Sequence, residues 1–152
     1  MVKNSAHNAA FDLSNEQIQS LIATSTGFIE TYVIPVHGDA DILIPQNMVL
    51  SAMNVAGHST EVEWHDKYLP TYDIHQPDLT EVTALVIDGD TEQTRFAILC
   101  DSMPQTLRLR ISEVLDIDKP TPEQIYQYVR VNETEYQIPH LTNIQKKLFH
   151  IK

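Results

Sequence analysis

The residues able to do chemistry are concentrated in one stretch. His58, His65, Asp66, Asp73 and His75 lie close together and carry nitrogen and oxygen donors of the kind that hold metal ions. They form neither H-E-x-x-H nor H-x-H, and the chain has a single cysteine to add to them. Solvated surface residues are the plainer reading of all five. Cys100 closes the apolar run Phe96-Ala97-Ile98-Leu99-Cys100, where the ordinary outcome is a buried, inert thiol. Gly57-His58-Ser59 lacks the G-x-S-x-G elbow, and Asp101-Ser102 lies beside a proline rather than a helix, so both suit turns in which Ser and Asp bond nearby backbone. Glu61 and Glu63 share one strand face, as paired carboxylates or simply as a wet surface. With only 4 glycines and neither G-x-G-x-x-G nor G-x-x-x-x-G-K, the chain has no loop of those types to cradle a phosphate. No catalytic residue, metal ligand or cofactor is expected.

Charge narrows the partners. The chain of 152 residues has 10 Lys and Arg against 21 Asp and Glu, a net charge of -11, with no Lys or Arg between Lys3 and Lys67. Such a surface repels nucleic-acid backbones and anionic lipid, leaving a basic protein partner or plain solubility as its purpose. Against this background Leu107-Arg108-Leu109-Arg110 places two cations on one strand face. It reads as a contact strip for an acidic partner or, more plainly, as a charged strand that resists edge pairing.

The length fits one domain, or two very small subdomains sharing a core. Every apolar run is interrupted well before the roughly 18 residues a membrane span needs, so no membrane insertion is expected. The start of the chain has no apolar stretch of the secretory type. A lone cysteine cannot form an internal disulfide, and a reducing cytoplasm is the default location.

The elements that must position these residues are mostly strands. Residues 1–13 read as a loose tail, and Ser14 with Gln17 at capping-box spacing predicts a helix over 15–25 ended by Gly27. Phe28 to Val36 is β-rich and stops at the turn signal His37-Gly38-Asp39-Ala40-Asp41. Ile42-Leu43-Ile44 and Met48-Val49-Leu50 flank Pro45, which argues for a corner rather than a continuous central strand. Val82–Ile87 and Arg95–Leu99 predict a buried hairpin turning at Asp88-Gly89-Asp90, and Thr106–Ile111 alternates as a strand with one wet face. The loop through Pro120 and Pro122 leads into an expected short helix over 122–128. Val129–Val131 and Tyr136–Ile138 bracket a further hairpin, and Leu141, Ile144 and Leu148 mark a C-terminal helix with lysines near its end. Short strands spaced by turns indicate a sandwich or small barrels.

The order of these segments resembles CheW-like domains. Thr31-Tyr32-Val33-Ile34-Pro35-Val36, Ile42-Leu43-Ile44-Pro45 and Leu69-Pro70-Thr71-Tyr72-Asp73-Ile74 are similar to the strands of the family's first half. Thr83–Ile87 with Phe96–Pro104 resembles the hairpin of its second half. Within the family the chain looks most similar to the divergent ChpC type of coupling protein, associated with the chemosensory pathway of twitching motility and type IV pili. The resemblance covers roughly residues 28–148. It implies a mainly β fold of two small five-stranded, SH3-like barrels packed together, with short N- and C-terminal helices, in one CheW-like domain over 14–152. It also implies a non-enzymatic coupling protein that joins a methyl-accepting chemoreceptor to a histidine kinase of the chemotaxis type. Trp64, His65, Tyr68 and Leu69 are then contact candidates beside Arg108 and Arg110, although Trp64 and Leu69 before Pro70 also suit inward packing. Typical members carry Arg-Gly where this chain has His65-Asp66, which removes a cation and puts Asp where a glycine's backbone freedom is usual. Two other readings stay open: a metal-dependent hydrolase using the His58–His75 stretch, and an acidic module that occupies a basic protein surface.

Overall fold

The structure, a computed structural model, describes residues 27–150. The expected tail over 1–13 and helix over 15–25 lie outside the described residues. Eleven strands and one helix follow: β1 (Phe28–Ile34), β2 (Asp41–Pro45), β3 (Val49–Ala56), β4 (Glu61–Trp64), β5 (Lys67–Asp73), β6 (Glu81–Ile87), β7 (Phe96–Cys100), β8 (Gln105–Arg110), β9 (Leu115–Ile117), β10 (Ile125–Val131), β11 (Thr134–Pro139) and α1 (Leu141–Leu148).

They form two sheets. The first has six strands in the order β8-β1-β2-β11-β10-β9, and the second has five in the order β3-β6-β7-β5-β4. The middle of the chain thus builds the second sheet, while both flanking parts build the first. Most neighbours are antiparallel; β11 beside β2 and β5 beside β7 are the parallel pairs. The expected arrangement of two small mainly β units stands, and the first sheet adds a sixth strand, β9, of only three residues.

Pro45 makes the corner between the sheets. It ends β2, and without an N–H to extend the ladder the chain turns through a 3-10 segment, Gln46–Met48, before entering β3 in the other sheet. Gln46 Nε2 holds that corner by donating to the Thr31 carbonyl at 3.1 Å. The two sheets are also tied by backbone bonds from His37 N–H to Ile74 O (3.0 Å) and from Asp88 N–H to Met48 O (2.9 Å).

β6 and β7 are covered on both faces, which explains their unbroken apolar runs. Leu85, Ile87, Phe96, Ile98 and Cys100 face the main core with Ile29, Leu43, Val129 and Ile144 of the first sheet and helix. Val82, Ala84, Ala97 and Leu99 face a smaller core inside the second sheet, closed by Val62. Large residues thus point to the space between the sheets, and the alternate positions, two of them alanine, fill the tighter interior.

One expectation is overturned. Residues 122–128 are not a helix: β10 begins at Ile125 and runs to Val131. The Pro-Thr-Pro-Glu approach mimics a helix start, but Ile125, Tyr126, Tyr128, Val129 and Val131 favour a strand and pair with β11. The turn that follows, Asn132-Glu133, is tighter than the four-residue connection expected, since Val131 pairs directly with Thr134. The C-terminal helix is where the periodicity puts it. His140 caps it, its Nδ1 accepting from the Asn143 N–H at 3.2 Å, and Lys146 and Lys147 sit in the last turn.

Candidate partner-binding surface

The hairpin β4–β5 carries the first set of candidates. Glu61 pairs with Pro70, Val62 with Leu69, Glu63 with Tyr68 and Trp64 with Lys67. The connection is the two-residue turn His65-Asp66, with φ of 51° and 63°. Both residues lie in the left-handed region, as a type I′ hairpin turn requires. Asp tolerates this conformation better than most side chains, so the hairpin closes without the glycine typical of the resembling family.

Alternation then sorts the candidates. Val62 and Leu69, paired across the hairpin, are 3% and 4% exposed; Val62 faces the smaller core, and the buried Leu69 beside it supports the hairpin from beneath. Glu61, Glu63 and Tyr68 face outward, Tyr68 being 66% exposed. Trp64 is half-buried, with the His65 ring stacked on it at 3.9 Å and 12° from parallel. The Arg95 guanidinium lies 5.5 Å from the Trp64 ring and is oriented by an ion pair with Asp88 at 3.3 Å. Lys67 reaches Glu92 at 3.9 Å across the exposed surface, where such a pair contributes little. Trp64 and His65 therefore form one small aromatic surface at the hairpin tip, while Tyr68 is displayed on the other face beside Glu63; partly wet aromatic rings of this kind are enriched in protein interfaces. Arg95 was not legible as part of it, because only the fold brings residue 95 to Trp64.

Arg108 and Arg110 occupy the other sheet. β8 is its terminal strand and pairs with β1, Glu30 opposite Arg108 and Phe28 opposite Arg110. The two guanidiniums lie 4.5 and 4.4 Å from the Phe28 ring, and Arg108 Nε is 3.4 Å from Glu30. Leu109 turns inward and is buried. The plainer reading, a charged strand at a sheet edge, fits this position, and the arginines are also displayed outward as a contact strip requires. Thr31 anchors the strand by donating to the Leu107 carbonyl at 2.7 Å. The first set thus sits on the hairpin at one end of the second sheet and the arginines on the edge strand of the first, each with its own partners.

The residues weighed for chemistry do not assemble. Among the described residues no three His, Cys, Asp or Glu side chains converge on a point that would hold a metal ion. His58 lies in the connection after β3, His65 at the hairpin tip and His75 beyond β5. His75 Nδ1 faces the Gln76 carbonyl at 2.7 Å rather than a nucleophile. Cys100 is fully buried; burial, then the neighbouring Asp101, pushes its thiol up to about 12, against the weaker effect of backbone hydrogen bonds. Asp101 accepts from the Gln76 N–H (2.8 Å) and Nε2 (3.0 Å), a contact across 25 residues rather than within a turn of its own as expected, whereas the Ser59 N–H bonds the Ala56 carbonyl at 3.1 Å in a local turn. Among the described residues no helix is long and apolar enough to cross a membrane.

No family model and no curated protein matches the chain. Its structure aligns with the crystal structure of the scaffolding protein TtCheW from Thermoanaerobacter tengcongensis with a TM-score of 0.55 and 7% identity, covering 73% of this chain and 88% of that one. At that identity the likeness speaks of the fold alone: two curled sheets and a short C-terminal helix, the CheW-like architecture.

Proposed function

We propose that the protein is a non-catalytic scaffold of chemosensory signalling, which couples a methyl-accepting chemoreceptor to a histidine kinase of the chemotaxis type in the cytoplasm. The observation that carries the reading is the CheW-like fold shared with a scaffolding protein over most of both chains despite 7% identity. The segment order that resembles the ChpC type points to the pathway of twitching motility and type IV pili. The contact surface offered to these partners is the β4–β5 hairpin, with His65 and the edge of Trp64 at its tip and Tyr68 on its outer face, and Arg108 and Arg110 as a second strip; Leu69 contributes by holding the hairpin. His65-Asp66 in place of Arg-Gly leaves the hairpin tip with less positive charge, which favours partners different from those of typical coupling proteins. Affinity capture of the full chain from its own cells at mild salt tests the reading. A chemoreceptor or a chemotaxis-type kinase should be recovered, and Tyr68→Ala should weaken its capture at least about tenfold while leaving the circular dichroism unchanged. Recovery of neither partner overturns the coupling role, and recovery of a kinase from outside the pilus pathway overturns the assignment to twitching.

A further inference from the structure

The two sheets end in edge strands of opposite charge. β4 closes the second sheet, with Glu61 and Glu63 exposed on its outer face and Val62 buried between them. β8 closes the first, with Arg108 and Arg110 exposed on its outer face and Leu109 buried between them. Among the described residues neither strand has a ladder partner on its outer side. The two edges share one pattern, charge out and apolar in at two-residue spacing, with the sign reversed. An unpaired edge is a template for another strand, and like charges directly opposite one another destabilise a pairing whereas opposite charges stabilise it. β4 against β4 or β8 against β8 is therefore rejected, and β4 against β8 is favoured.

We propose that copies of this chain associate head to tail, β4 of one adding antiparallel to β8 of the next, with Glu61 opposite Arg110, Val62 opposite Leu109 and Glu63 opposite Arg108. In this register the charged faces of both strands lie on one side of the joined sheet and the apolar faces on the other. Phe28 already supports both guanidiniums at 4.4 to 4.5 Å, so the basic edge is partly ordered before a neighbour arrives. Close approach of two chains of net charge -11 is opposed on the whole, and this basic strip is one place where the opposition is relieved. Because the acidic and basic edges are different surfaces, the contact is heterologous: a joined pair keeps one free edge of each sign, and the assembly grows to a ring or a filament. A ladder of four residues is small beside the roughly 1,200–2,000 Å² of a stable interface, so the association is weak and sensitive to local concentration.

The inference does not rest on the coupling role, and purified protein alone tests it. Sedimentation velocity of the full chain over a dilution series should show an average mass that rises with concentration beyond that of a dimer. Glu61→Arg with Glu63→Arg, and separately Arg108→Glu with Arg110→Glu, should each weaken association at least about tenfold with the circular dichroism unchanged. An equimolar mixture of the two variants should associate again, since each supplies the sign the other lacks. A parent chain that stays monomeric up to the highest concentration overturns the proposal, as do variants that associate like the parent or a mixture that fails to recover.

Discussion

The His65 imidazole lies flat on the Trp64 indole, 3.9 Å between centroids, although the two residues are neighbours in sequence. Adjacent side chains in a strand point to opposite faces; the left-handed backbone at His65 swings its ring back over Trp64. Trp64 is the chain's one tryptophan, so all indole emission comes from this site, where Arg95 is the ring's other neighbour. Replacing His65 by Ala removes an aromatic neighbour from the indole face and should raise the emission while the far-ultraviolet spectrum stays unchanged. Identical emission from parent and variant would mean that the rings do not stack in solution.

The two tight hairpin turns differ in how well their residues suit them. Asp66 has φ of 63° and Glu133 has φ of 70°, both in the left-handed region that glycine occupies without strain. Glu lacks the short polar side chain that eases this conformation for Asp. Glu133→Gly should therefore stabilise the fold by about 1 kcal/mol and Asp66→Gly by less, read as shifts in the urea midpoint at unchanged slope. A lower midpoint for Glu133→Gly would contradict the turn geometry.

Acid should weaken the protein partly through Asp101. Burial alone would raise its carboxyl pKa, but the two hydrogen bonds from Gln76 and the nearby imidazoles of His75 and His37 outweigh burial and hold it below the ordinary value. A depressed folded pKa contributes stability above the unfolded value of about 4, and that contribution is lost as pH falls through the folded one. Asp101→Asn should be less stable than the parent at neutral pH, and the difference should shrink below about pH 4. Urea melts at several pH values check this; a gap that widens on acidification would show the sign to be wrong.

Cys100 should be silent until the protein opens. Its thiol is buried and pushed up to about 12, so at pH 8 almost none is the reactive thiolate. Iodoacetamide should leave the native chain unmodified over hours and label it within minutes in concentrated urea, as read by mass spectrometry. Rapid labelling of the native chain would require Cys100 to be exposed or activated.

Much of this architecture was legible from side-chain pattern. The Val82–Ile87 and Arg95–Leu99 runs became the doubly covered β6 and β7, and Pro45 became the corner between sheets. The β3 strand was read only at its start, because Ser51, Ala52, Asn54 and Ala56 carry no apolar signal on their exposed or half-buried positions. Residues 122–128 misled because local helix-start chemistry was outweighed by long-range pairing with β11. Of the site, the glycine usual at the position of Asp66 pointed to an unusual backbone there, but the support of Trp64 by Arg95 and of the arginines by Phe28 depends on register. The opposite signs of the β4 and β8 edges were written plainly in the residues. The charged alternation of β8 already suggested an edge; what could not be read was that β4 ends the other sheet, since edge position is a property of topology.

Of the two remaining edges, β9 is only three residues long, whereas β3 runs for eight with no charge and no proline, its irregularity confined to the bulge between Val49 and Ser51. Edges of this kind are where misfolded chains stack into fibrils, and proteins usually blunt them with a lysine or a kink. Here the guard lies elsewhere, in the carboxylates that keep whole molecules apart. As those carboxylates protonate toward the isoelectric point near 4.8, net repulsion between molecules fades and the bare strand is left without that guard. The acidity of this chain is then a colloidal shield for one undefended strand.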